Sequence, residues 1–188
     1  MHGGEIGTEI APALAVGADP AMRWAVERVD QLLRRTCDLG RALTGAEQAA
    51  LKLTVDGAPE LTRKYFSLGA PYTAWRDYQV DPVGLGLHGL DIPAGQAIRL
   101  TQAEVEAHPA WLGFGEQAES HPPLRGWLAA PVCGDGGRTY GLLQLSDKAG
   151  RAEFDEHDEE LILELVSVVG AALDAVREAY ERGRSARR

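Results

Sequence analysis

Thiols and imidazoles are the side chains best suited to chemistry, and this chain has few: two cysteines, Cys37 and Cys133, and five histidines. Neither cysteine lies in a CxxC or CxxCH run, so a thiolate zinc site and a covalently attached c-type haem have no support. A dithiol relay needs two thiols within reach of each other. Cys37 falls in a helical segment and Cys133 ends a strand-like run. No histidines have the HExxH spacing of a zinc protease. His108 precedes Pro109 as a helix stop, His88 sits in a Gly-rich turn, and His157 lies among acids at a helix start. Lys148 and Asp158 are placed to pair, a strand-end ammonium with a first-turn carboxylate that the helix dipole also favours. Such a pair more often fixes geometry than does chemistry. The aromatics cluster: Tyr72, Trp75 and Tyr78, then Trp111 and Phe114. Aromatic side chains with polar tips suit a planar organic ligand where they line a cavity, and otherwise fill it.

These residues need elements to position them. Residues 1–19 are Gly- and Ala-rich without a sustained period and read as a loose arm. Asp19-Pro20 starts a helix, a cap followed by Pro in the first turn. Its apolar face is expected from Val26, Val29, Leu33 and Leu43, with Leu32, Cys37 and Leu39, and Gly45 ends it. Ala49 to Val55 alternates as a strand, Asp56-Gly57 is a turn, and Leu61 to Leu68 is the partner strand. Residues 69–89 read as irregular, rich in Gly, Pro and aromatics. Ala97 to Leu100 is a short strand, and Thr101 with Glu104 forms a capping box. Gly126 to Cys133 and Tyr140 to Ser146, around Asp135-Gly136-Gly137, read as a hairpin. A final helix is capped by Asp155 and carries Leu161, Leu165, Val168, Ala172 and Val176, flanked by Ile162, Val169 and Leu173. That stripe is wider than one sheet contact requires, so a second subunit is expected to use the surplus. The order gives an α+β domain over residues 20–182, with a basic tail at 183–188.

The net charge is −9, and Arg177 to Arg188 holds five Arg and two Glu, so the body is more acidic still. An acidic body repels phosphate, which argues against nucleic acid as a partner. Much of the acid crowds the last helix start, where the dipole welcomes it, so the charge says little about a substrate. No run of about 18 apolar residues exists and no basic leader precedes an apolar run, so no membrane span or signal peptide is expected and a reducing cytoplasm is the expected compartment. At 188 residues the chain is expected to be too short for a sensing domain and a kinase together, so output would come from another protein or from a region cut away.

The stretch Gly126 to Lys148 (GWLAAPVCGDGGRTYGLLQLSDK), followed by FDEHDEELILELVSVVGAAL, resembles the second half of a GAF domain. Asp147-Lys148, Phe154 and Asp158-Glu159 follow that family's Asn-Lys…Phe…Asp-Glu pattern, with Asp147 in place of Asn. Gly84-Leu85-Gly86-Leu87-His88-Gly89 resembles its GxGxxG turn and, lacking a βαβ context, marks no dinucleotide site. The resemblance implies a GAF-type α/β/α sandwich with a central antiparallel sheet and flanking N- and C-terminal helices. It implies a non-enzymatic sensory or regulatory module, with an unidentified small ligand in a cavity on one sheet face and dimerising terminal helices that signal to a sensor kinase or regulator, as in two-component systems. The alternative it leaves is a ligand-free interaction module.

Leu100 to Val132 is also similar to GAF domains of bacterial sensor histidine kinases, including haem-containing gas and redox sensors. Those carry His-Pro-Pro-Met-Arg, whose His is the proximal haem ligand, and the matching residue here is His121 in His121-Pro122-Pro123-Leu124-Arg125. A neutral imidazole coordinates haem iron, and the prolines fix its approach. Gln144 stands where those sensors place a Tyr. The pocket candidates are therefore Tyr72, Trp75, Tyr78, His88, Trp111, Phe114, His121, Trp127, Cys133 and Gln144, with Lys148 and Asp158 as a structural pair and haem iron on His121 as the one metal to consider. Asp91-Ile92-Pro93 resembles a phytochrome motif, but no Cys follows at a chromophore-attaching position.

Overall fold

The computed structural model describes residues 20–55, 58–75, 86–113 and 122–185. The expected arm at 1–19, the Asp56-Gly57 turn, Gly84-Leu85, Tyr78, Phe114, His121 and the end of the basic tail at 186–188 lie outside the described residues. The elements run α1 (Pro20–Thr44), β1 (Ala46–Val55), β2 (Ala58–Leu68), a 3₁₀ turn (Ala70–Trp75), a second (Gly86–Gly89), β3 (Ile98–Thr101), α2 (Gln102–Ala107), β4 (Gly126–Cys133), β5 (Thr139–Lys148), a third 3₁₀ turn (Ala149–Arg151) and α3 (Glu156–Ser185). The strands form one antiparallel sheet in the order β2-β1-β5-β4-β3. The α+β sandwich expected from the sequence is what forms.

Local chemistry sets the boundaries. The Thr101 hydroxyl accepts from the Glu104 amide while the Glu104 carboxylate accepts from the Thr101 amide, closing the capping box at α2. At α3 the exchange is between two aspartates: Asp155 accepts from the Asp158 amide at 3.0 Å, and Asp158 accepts from the Asp155 amide at 2.9 Å. β4 is buried along almost its whole length, as a strand covered on both faces must be. Pro131 sits beyond Ala129, the last residue that β3 pairs with.

The sheet has two unequal faces. On one, α1 and α3 cover a large core with Leu33, Leu51, Leu128, Leu143, Leu145 and Ile162 fully buried. Each such side chain contributes about 2 kcal/mol through burial. Gly170 lets α3 press onto β4, because a Cβ there would meet the Cys133 carbonyl oxygen at 1.8 Å. The other face carries a smaller cluster of Leu87, Ile92, Val105, Trp127 and Ala129, with Trp111 and Leu142 against it.

Two helix faces differ from the sequence expectation. On α1 the buried positions are Leu33, Thr36, Cys37, Gly40 and Thr44, whereas Leu39 and Leu43 are about half exposed. With 3.6 residues per turn, positions 33, 37, 40 and 44 share a face that 39 and 43 do not. On α3 the sheet-facing stripe is Asp158, Ile162, Val166, Val169 and Leu173. The expected main stripe is rotated by one residue, with Leu161, Leu165, Ala172 and Val176 half-buried and Val168 66% exposed. α1 packs against α3, and Leu39 and Leu43 lie on the flank of α1 opposite the one that bonds β2 through Asp38 and Arg41. An apolar seam therefore runs along the outer junction of the two long helices.

Candidate functional site

A cleft of about 650 Å³ opens at the end of the sheet where β1 begins and β5 stops. Glu47 comes from β1, Tyr72 and Trp75 from the 3₁₀ turn after β2, Gln102 and Glu106 from α2, and Arg125 from the residue before β4. Asp147, Lys148 and Arg151 come from the end of β5 and its following turn. Its volume lies within the range of small-molecule sites.

A polar network forms its floor. Arg125 donates through Nη2 to the Tyr72 hydroxyl at 3.1 Å, and its Nε lies 3.5 Å from Asp147 Oδ1. The Arg125 amide donates to that same oxygen at 2.9 Å, and Gln48 Nε2 donates to Asp147 Oδ2 at 2.9 Å. Asp147 is buried, and burial pushes its carboxyl above the usual range against the pull of the Arg125 amide and Gln48. Its φ of 58° leaves the strand geometry, and Arg151 in the following turn has a φ of 59°. Left-handed backbone is uncommon for non-glycine residues, least so for Asp. Burial, then the Asp147 charge, raise the Tyr72 phenol.

The next residue links the floor to α3. Lys148 donates to Asp158 Oδ2 at 2.5 Å and lies 3.5 Å from Asp155. The bond to Asp158 is the main cause of the raised Lys148 ammonium. The expected pair is present and ties the end of β5 to the first turn of α3.

The structure divides the other expected site residues among separate places. Tyr72 and Trp75 meet with ring centres 5.4 Å apart and planes tilted by 38°, on the cleft wall. Trp111 and Trp127 belong instead to the smaller core cluster. The Trp127 indole donates to the Gln144 amide oxygen at 3.1 Å, so that oxygen is already engaged. His88 is exposed in the second 3₁₀ turn. Cys133 is half-buried at the far end of β4, its sulfur 3.6 Å from the Thr139 hydroxyl. Cys37 is buried on the sheet-facing side of α1, and desolvation pushes its thiol up to about 12. His121 lies outside the described residues, and the Gln144 amide oxygen is taken up by Trp127. Sequence reasoning missed Glu47, Arg125 and Arg151. Arg125 was within reach, because the expected hairpin places the residue before β4 beside the end of β5.

Residues 28–173 match the GAF domain family. The GAF domain of a phosphoenolpyruvate-protein phosphotransferase from Coxiella burnetii superposes with a TM-score of 0.58 at 19% identity, covering 87% of this chain and 99% of that one. A domain of a two-component sensor histidine kinase protein from Sinorhizobium meliloti gives 0.55 at 13% identity, covering 81% and 95%. The GAF domain of the cyanobacteriochrome TePixJ gives 0.61 at 13% identity, covering 80% and 91%. At these identities the likeness establishes the fold.

Proposed function

Because this chain belongs to the GAF domain family, we propose that it is a non-enzymatic sensory module that binds a small ligand in the cleft and signals through α1 and α3 of a homodimer. The observation that carries this reading is the continuous path from cleft to helix. The Tyr72 hydroxyl bonds Arg125, Arg125 bonds Asp147, and the adjacent Lys148 holds Asp158 in the first turn of α3. A ligand that competes for Arg125 or Tyr72 changes the support of Asp147, and with it the hold on α3. Such a ligand shifts the helices only by as much as its affinity differs between their two arrangements.

The apolar seam of Leu39, Leu43, Leu165 and Val168 supplies the dimer surface, since a helix pair with exposed apolar side chains at helical spacing is completed by a second pair. The partner in output is a kinase or regulator in the same cytoplasm. No helix among the described residues is long and apolar enough to cross a membrane.

The filled sheet face around Trp127 favours a second reading, an interaction module with no ligand. Native mass spectrometry of freshly purified protein separates the two, because it reports bound ligand and subunit count together. A dimer carrying a small molecule is expected. A ligand-free dimer selects the second reading, and a monomer at high concentration removes dimeric signalling from both.

A further inference from the structure

The cleft holds opposite charges that the fold itself does not use. Glu47, at the start of β1, and Arg151, in the turn after β5, both line it, and both lie near enough to Tyr72 to act on its phenol. Neither side chain makes a hydrogen bond or an ion pair among the described residues, and the two do not pair with each other. Glu47 is seated by Gly69, whose amide donates to the Glu47 carbonyl at 2.7 Å. A Cβ on Gly69 would come within 1.9 Å of the Glu47 carboxylate. Arg125 adds a second cation with its Nη1 uncommitted, since Nη2 serves Tyr72 and Nε faces Asp147. The Tyr72–Trp75 pair supplies an apolar wall beside these charges.

Charge complementarity narrows the ligand. A simple anion suits Arg125 and Arg151 but is opposed by the uncompensated Glu47 and by Glu106 and Glu153, which also line the cleft. A simple cation suits Glu47 but is opposed by two guanidinium groups. A neutral ligand would desolvate both signs without satisfying either, which is costly. A zwitterion meets groups of both signs. We infer that the cleft binds a free α-amino acid with an apolar side chain: its carboxylate meets Arg125 and Arg151, its ammonium meets Glu47, and its side chain lies on Tyr72 and Trp75. This rests on the reading of the cleft as the ligand site.

Titration calorimetry on the full chain tests it with L-phenylalanine, N-acetyl-L-phenylalanine and L-phenylalaninamide. The parent amino acid is expected to bind. Each derivative lacks one charge-assisted contact and is expected to bind about tenfold more weakly or worse. Glu47→Gln removes the discrimination against the acetylated compound and leaves that against the amide, while Arg151→Ala narrows the discrimination against the amide alone. Equal binding of all three compounds, or no binding of phenylalanine or leucine to protein that melts cooperatively, overturns the inference. If these fail while native mass spectrometry shows another small molecule bound, the ligand class falls and the sensory reading stands. If phenylalanine binds with the expected selectivity but leaves exchange at the start of α3 unchanged, the ligand class stands and the sensory reading falls.

Discussion

β5 is fastened to α3 at both of its ends, and the two fastenings are built differently. At its end, Lys148 bonds Asp158, whose side chain is 4% exposed, and the preceding residue, Asp147, forms the floor of the cleft. Near its start, the Tyr140 hydroxyl bonds Asp174, which is 15% exposed, with Arg177 alongside and the Asp135 amide donating to Asp174 at 2.8 Å. The second fastening holds the β4–β5 turn and touches no cleft residue. On the proposed reading, one end of the strand reports a ligand and the other anchors the helix. The energetics follow burial: breaking the more deeply buried pair strands a charge, while the pair nearer solvent loses less.

The largest effect is expected at the buried end. Asp158→Ala removes the partner of Lys148 and the acceptor of the Asp155 amide, and is expected to cost about 3 kcal/mol. For a domain of this size that lowers the melting temperature by about 9 °C. A loss no greater than that of Asp174→Ala would erase the distinction between the two fastenings.

Gly170→Ala comes next. The added Cβ collides with the Cys133 carbonyl, which is backbone and cannot swing away. Overpacking costs about 3 kcal/mol, and the gain of about 1 kcal/mol in helix propensity offsets part of it. A net loss of about 2 kcal/mol in a denaturant melt is expected, and a stabilised variant would show that α3 does not sit tightly on β4. Asp174→Ala is expected to cost less than either in the same melt.

Lys148 also gives its fastening a pH signature. Its folded-state pKa is raised above the ordinary 10.5 by the Asp158 bond. The stability it contributes is therefore fully present below that value and is lost as pH rises through the higher folded value. Wild-type protein is expected to lose stability above pH 10.5 more steeply than Lys148→Met. Parallel curves for the two proteins would contradict this. The smallest perturbation is chemical. With its thiol pushed up to about 12 and buried, Cys37 is expected to resist iodoacetamide at pH 8 while half-buried Cys133 is alkylated first. Peptide mass mapping over time reads the order.

What the sequence revealed and what it hid follow one physical line. Features set within a few residues were legible: the start of α1 at Pro20, the capping box at Thr101, the extent of β4, and the pairing of Lys148 with Asp158. The face of α3 was not, because 161, 165, 168, 172 and 162, 166, 169, 173 both recur at helical spacing. Only the sheet selects between them. The site was read least well. Arg125 meets Tyr72 across 53 residues of chain, and Glu47 joins them only through the pairing of β1 with β5. Periodicity carries no signal for such meetings. The aromatics looked like one wall and fall into two places, with Tyr72 and Trp75 at the cleft and Trp111 and Trp127 in the core.

The central claim is that the cleft reaches α3 through the Lys148 end of β5 and not through the Tyr140 end. Amide hydrogen exchange on Arg125→Ala tests it most directly. That variant removes the Arg125 side chain, which bonds the Tyr72 hydroxyl and faces Asp147, without touching either fastening. Faster exchange in the first two turns of α3, with unchanged protection around Tyr140 and Asp174, is the predicted result. Unchanged exchange at the start of α3, or an equal increase at both ends, would contradict it.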